Sequence, residues 1–294
     1  MRYQESNLKD RLRRTRLYIP GNNPSIMHNI AIFEADTVIL DLEDAVAPAD
    51  KDAARILVKY ALRNVDFGKT EKGVRINPLS TPYGKDDLEM AIENKSEIIF
   101  LPKVENASDI TNIEGYFGKK DVLLAPIIES ARGVLNAPEI ATASERVALL
   151  CFGAEDFTKD IGAERTREGK ELFLARQMIV LAAKSAGIQA SDTVFSDIND
   201  LEGLINETKL AKSLGFDGKG VIHPSQIKPI HKVFAPTEEE VDYAKRVLNA
   251  FKEAEKKGSG VVALGRKMID KPVVERAKRI IKLAEMMGLL KREN

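Results

Sequence analysis

The chain has 294 residues, with 45 lysines and arginines set against 45 aspartates and glutamates. That balance supplies no global field to recruit nucleic acid or an anionic membrane surface, and a chain of this size buries an adequate core without crosslinks. The single cysteine, Cys151, cannot form an internal disulfide, and within the apolar run 147–152 it reads as a small buried hydrophobe in a reducing compartment.

The chain opens on charged residues (Arg2, Glu5, Lys9, Asp10, Arg11, Arg13, Arg14) with no long apolar stretch behind them, so neither a signal peptide nor a membrane span is expected. The expected location is cytoplasmic. The basic stretch 11–16 has acidic neighbours and reads as a solvated face. Short apolar runs then recur at 16–19, 37–42, 73–76, 97–101, 122–128, 147–153, 193–195 and 220–222. Between them lie helix signals. Asn23-Pro24 sets a cap residue before a first-turn proline, predicting a helix to about Phe33. Ala53, Ile56, Leu57, Tyr60 and Ala61 form an apolar stripe at helical spacing. Leu172, Ala175, Ile179, Ala182 and Ala186 form another, stopped by Gly187; Leu201, Leu204, Ile205, Thr208, Ala211 and Leu214 form a third, stopped by Gly215. Strand-then-helix repeated eight times predicts an α/β fold, a closed TIM-type (β/α)8 barrel, over residues 1–234.

A C-terminal helical extension is expected over 235–294. Thr237 and Glu240 make a capping box opening a long helix through Val241, Ala244, Val247, Leu248 and Phe251. Lys256-Lys257-Gly258-Ser259-Gly260 breaks it, a short apolar run covers 261–264, and Pro272 starts a final helix. Falling after the eighth strand, this tail is free to dock on a neighbouring subunit.

In such a barrel chemistry sits at the carboxyl ends of the strands. Glu129 and Asp156 close the fifth and sixth runs, so both carboxylates should face one mouth. With no His/Cys cluster nearby they suit a hard cation, Mg2+ or Mn2+. The competing reading pairs them with Arg132 or Arg165. In Asp41-Leu42-Glu43-Asp44, alternation sends Asp41 and Glu43 to one face and Asp44 to the other; they either support metal-bound water or complement the dipole of the next helix. Arg75, flanked by branched aliphatics, needs an anion if it faces inward: a substrate carboxylate or enolate, or a buried pair with Asp41 or Glu43. Lys103 carries the same two readings and also invites a Schiff-base aldolase. Asp270 reads as a helix N-terminal acid. The 162–170 segment has the wrong glycine spacing for a phosphate loop, and His28, His223 and His231 are too scattered for a zinc triad or a Ser–His pair.

Several motifs in order are similar to the citrate lyase β-like and HpcH/HpaI-type aldolase family: Leu17-Tyr18-Ile19-Pro20-Gly21-Asn22, Asp41-Leu42-Glu43-Asp44-Ala45-Val46, Val74-Arg75-Ile76-Asn77, Leu101-Pro102-Lys103, Ile128-Glu129-Ser130, Gly153-Ala154-Glu155-Asp156-Phe157, Gly215-Phe216-Asp217-Gly218-Lys219 and His223-Pro224-Ser225-Gln226. The stretch 164–172 resembles the citrate lyase β chains more than their coenzyme A lyase relatives. The resemblance implies a barrel whose Mg2+ is held by Glu129 and Asp156, with Arg75 and Glu129 at substrate-binding positions. Tyr18 and His223, inside the matched motifs, complete the expected substrate-binding set. Asp270 matches an acid that relatives contribute across a subunit boundary, although Arg266 departs from their pattern just before it.

The function implied is Mg2+-dependent retro-Claisen cleavage of citryl-[acyl-carrier protein] to acetyl-[acyl-carrier protein] and oxaloacetate. Arg75 would stabilise the enolate, and Asp270, or Glu43 through water, would move the proton. Citrate lyase α and γ subunits and further copies of the chain are the expected partners, with no nucleic acid or membrane. Two alternatives stand beside it: a malyl- or citramalyl-coenzyme A lyase or thioesterase, and a non-catalytic carrier-binding or assembly subunit.

Overall fold

The computed structural model describes residues 11–256, 262–264 and 267–290. Arg2, Glu5, Lys9, Asp10, Arg266 and the 257–260 break lie outside them. Eight parallel strands close a barrel: β1 (Thr15–Pro20), β2 (Thr37–Asp41), β3 (Glu71–Arg75), β4 (Ile98–Leu101), β5 (Leu123–Ile128), β6 (Leu149–Phe152), β7 (Gln189–Asp192) and β8 (Gly218–Val221). β1 closes the ring, pairing with β2 from Arg16 opposite Thr37 and with β8 from Thr15 opposite Lys219. Helices between the strands form the outer layer, as the alternation requires. Inside, Ile39, Phe100, Ala125, Ile127, Leu149 and Cys151 pack with Tyr18 into a buried cluster.

Three expectations need correction. The seventh strand is 189–192, not the apolar 193–195, because its inter-strand partners are Leu149, Leu150 and Cys151. Gln189-Ala190-Ser191-Asp192 reads as polar, yet Asp192 is fully buried against Arg176 and Lys219. The helix Lys51–Asn64 buries Ala54, Val58, Ala61 and Leu62, whereas Ile56 and Tyr60 of the sequence stripe are each 56% exposed. Two faces of that helix carry apolar residues at helical spacing, so periodicity alone does not choose between them. The expected helix to Phe33 is two one-turn helices, Pro24–Met27 and Ile30–Phe33, separated at His28-Asn29.

The 11–16 stretch is also not a solvated face. Arg13 is buried, and its Nε and Nη2 donate to Glu71 at 2.8 and 2.6 Å; Glu71 also accepts from Thr37 Oγ1. Arg14 grips Asp36 bidentately at 2.7 Å, and Arg11 pairs with Glu97. The acids come from β3 and from segments beside β2 and β4, far along the chain.

The chain divides into units 1–231 and 232–294. The second holds the helix Glu238–Lys256, opened by the Thr237–Glu240 box with both reciprocal bonds made, a short antiparallel hairpin of β9 (Val262–Leu264) and β10 (Lys267–Ile269), and the helix Lys271–Met286. The hairpin adds strand to a region expected to be helical. Ala244, Val247, Ile269, Val274 and Ala277 form its own core. Among the described residues no helix is long and apolar enough to cross a membrane.

Breaking a buried ion pair strands a charge, whereas removing both partners does not. Glu71→Ala should therefore lower unfolding free energy by about 3–5 kcal/mol in urea titration, and Arg13→Met/Glu71→Met should recover most of it. An exposed-pair value near zero for Glu71→Ala would contradict this placement.

Candidate active site

The carboxyl ends of the barrel strands surround a cavity of about 430 Å³ whose lining includes Arg16, Tyr18, Asp41, Arg75, Glu129 and Asp156. Glu129 directly follows β5. Asp156 does not end β6 but lies in the first turn of the helix Ala154–Asp160 that follows it. Between them, Gly153 leaves room for the carboxylate: a Cβ there would fall 2.6 Å from Glu129 Oε2. Glu129 Oε1 accepts the backbone N–H of Lys103 at 2.7 Å. Lys103 adopts φ 55°, a left-handed conformation uncommon for a non-glycine residue.

Neither Glu129 nor Asp156 forms an ion pair within 4 Å among the described residues. The arginines that could have neutralised them are engaged elsewhere, Arg165 with Glu155, Glu171 and Glu207, and Arg132 with Glu105. Burial pushes the Glu129 carboxyl up to about 8, and the charges of Asp156 and Glu43 add to that, against the Lys103 N–H. No group of three or more His, Cys, Asp or Glu side chains arranged to hold a metal ion is found among the described residues. Two carboxylates with open coordination space fit a hard cation that completes its shell with water or substrate oxygens.

Arg75, at the end of β3, meets both of its predicted acids. Nε and Nη2 donate to the two oxygens of Asp41 at 2.7 and 2.6 Å, and Nη1 lies 2.9 Å from Glu43 Oε2. Its guanidinium stacks on Tyr18, 5.1 Å from the ring centre. Burial opposes its charge, but the bonds and charge of Asp41, with the charges of Tyr18 and Glu43, together outweigh burial and hold it protonated. Burial likewise raises the Tyr18 phenol. Glu43 is pushed up to about 7, burial and the neighbouring Asp44 overcoming the attraction of Arg75 and Lys103.

Lys103 Nζ approaches Glu43 Oε1 at 3.3 Å. Burial lowers its pKa, but the charge and hydrogen bond of Glu43 together with the charges of Asp156 and Asp44 more than offset this and leave it raised, so it is no neutral amine for Schiff-base chemistry. His223 is exposed and caps the turn Pro224–Gln226, its Nδ1 accepting from Ser225 N–H at 3.2 Å, and it does not line the cavity. Asp270 belongs to the second unit and caps the helix Lys271–Met286 through Val273 N–H. Sequence reasoning missed Gly153, the backbone role of Lys103, and Arg16. Of these only Arg16 left a signal, since it stands two residues before Tyr18 on one strand and so shares its face.

The pattern of the HpcH/HpaI aldolase/citrate lyase family matches residues 14–224. The chain belongs to that family. Within it, the citrate lyase subunit beta of Leuconostoc mesenteroides subsp. cremoris is 47% identical over 293 residues, covering 97% of each chain. The mitochondrial citramalyl-CoA lyase of Rattus norvegicus is 35% identical over 297 residues, covering 95% of this chain and 88% of its own. A citrate lyase beta subunit from M. tuberculosis, solved with oxaloacetate and magnesium, is 34% identical and superposes with a TM-score of 0.69, covering 79% of this chain and 100% of that one.

Two outcomes follow for a member of this family with such a site. Glu43 and Glu129 hold protons, at about 7 and about 8, that an unfolded carboxyl near 4.5 has released. Folding takes up protons in that window, so the metal-free protein is more stable below it and loses stability as pH rises through 7 and 8. The melting temperature without metal should fall across the window, less so in Glu129→Gln, and Mg2+ should restore more at the alkaline end; a flat profile would contradict the burial of these acids. Gly153→Ala should displace the Glu129 carboxylate and weaken Mg2+ binding by about 10-fold or more in calorimetric titration, with far-UV circular dichroism unchanged.

Proposed function

We propose that Glu129 and Asp156 hold Mg2+ for the retro-Claisen cleavage of a citryl thioester, giving oxaloacetate and an acetyl thioester. The protein is a Mg2+-dependent carbon–carbon lyase of the citrate lyase β type. One observation carries the reading: two acids without ion-pair partners among the described residues, Glu129 buried and Asp156 half-buried, line one cavity with an arginine held protonated.

Bound Mg2+ supplies Lewis acidity that favours loss of the citryl hydroxyl proton. Glu43, tuned to about 7, is suited to take that proton and return it to the carbon of the departing enolate, directly or through one water. When the carbon–carbon bond breaks, its electron pair passes to the thioester enolate and the carbinol carbon becomes the ketone of oxaloacetate. Arg75 stabilises the developing negative charge, its orientation fixed by Asp41. Tyr18 supports Arg75 through its ring face. Asp270, brought by the second unit of a neighbouring subunit, is the alternative proton donor that the family resemblance implies. An acyl carrier protein as the thioester carrier, the α and γ subunits of a multi-subunit citrate lyase, and a homo-oligomer complete the proposal. His223 keeps only the substrate role implied by its motif.

A coenzyme A lyase acting on citramalyl or malyl groups would use the same residues, and the citramalyl-CoA lyase relative favours keeping it in view. A non-catalytic assembly role is opposed by the retention of costly inward charges. One assay separates the three. Citryl thioester and malyl-coenzyme A are offered with and without Mg2+. Oxaloacetate alone, abolished by chelator and by Glu129→Gln, is the expected result. Glyoxylate would shift the reading to the coenzyme A lyase, and no product from either would favour assembly.

A further inference from the structure

The barrel lumen holds a cation that forms no ion pair with an acid among the described residues. Arg16, on β1, is 1% exposed and lines the same cavity as Arg75, Glu129 and Asp156. Its Nη2 donates to the backbone carbonyl of Asp192 at 3.0 Å, and its guanidinium carbon lies 5.8 Å from the centre of the Phe100 ring. Nε and Nη1 are buried without a hydrogen-bond partner among the described residues. Ser191, one residue before that carbonyl, has a buried hydroxyl that is also unpartnered.

Apart from Glu129 and Asp156, which form no ion pair with Arg16 within 4 Å, the buried acids of the barrel are committed to other cations. Asp41 gives both oxygens to Arg75, Glu71 gives both to Arg13, and Asp192 is shared by Arg176 and Lys219. The Cys151 thiol feels the Arg16 charge and a weak hydrogen bond from it, but burial pushes it up to about 11, so it stays neutral and does not balance that charge. A guanidinium does not shed its proton. One carbonyl and one ring face leave a buried charge with two N–H groups unused, Nε and Nη1 on opposite edges of the guanidinium, each able to donate one bond to an anion.

Resting on the lyase reading above, we propose that Arg16 is the specificity residue for the second carboxylate of the oxo-acid half of the substrate. A citryl group carries a CH2–COO− arm on its carbinol carbon where a citramalyl group has a methyl and a malyl group a hydrogen. The hydroxyl and the carboxylate on that carbon belong to the Glu129–Asp156 side of the cavity. The remaining arm needs its own cation, because Arg75, held by Asp41 and Glu43, is assigned to the developing enolate charge. Arg16 supplies that cation. A site that buries an unpaired donor also discriminates against the substrate that leaves it unpaired.

The test measures binding and not turnover. Oxaloacetate and pyruvate, which differ by this carboxylate, are titrated into the Mg2+-loaded protein by calorimetry, with thermal shift as a second readout. Wild type should prefer oxaloacetate. Arg16→Met should collapse the oxaloacetate-to-pyruvate affinity ratio by roughly 30-fold or more, and Arg16→Lys should restore part of it; Arg16→Gln replaces the Met variant if that does not fold. An unchanged ratio in both neutral variants, or equal loss of both ligands, overturns the proposal while leaving the lyase reading intact. Failure of wild type to bind either oxo acid with Mg2+ would overturn the lyase reading, and this inference with it.

Discussion

Two acids left without counter-ions govern this structure. Elsewhere in the barrel, carboxylates taken out of water are matched: Glu71 by Arg13, Asp41 by Arg75, Asp192 by Arg176 and Lys219. Glu129 is matched by one backbone N–H and sits close enough to Asp156 to feel its charge. Two like charges in a partly desolvated cavity either bind protons or bind a cation. The first outcome appears in the raised carboxyl of Glu129. The second is the chemistry of a hard divalent ion, whose charge reverses the local electrostatics.

The backbone has been shaped around that requirement. Gly153 has no side chain because Glu129 occupies the space one would take, and Lys103 holds a left-handed conformation that turns its N–H onto the same carboxylate. Arg75 is fixed by Asp41 before any substrate arrives, so little reorganisation is left for the reaction itself. The barrel gives these residues a common mouth although they come from β1, β2, β3, β5 and the helix after β6.

How much of this was legible in the sequence follows from which interactions are local. Seven strands announce themselves as apolar runs because both faces of a parallel barrel strand are buried. β7 does not, since Ser191 and Asp192 are buried by partners distant in the chain. Glu129, Asp156, Arg75 and Glu43 are legible as charges at or just beyond strand ends, and Asp41 and Glu43 are the acids nearest in pattern to Arg75. The face of the Lys51–Asn64 helix was not, because apolar residues lie on two of its sides. Arg13 and Arg16 looked solvated because the groups that bury them come from β3, β4 and β7. His223 shares a motif with the site, yet it caps a turn outside the cavity lining.

If Glu129 and Asp156 together form one divalent-cation site, Mn2+ binding followed by electron paramagnetic resonance should detect it. Wild type should bind one tight Mn2+ per chain, displaced by Mg2+. Glu129→Gln and Asp156→Asn should each abolish that site while the exposed neighbour variant Glu155→Gln keeps it. Undiminished tight Mn2+ binding in both substituted proteins would contradict the account.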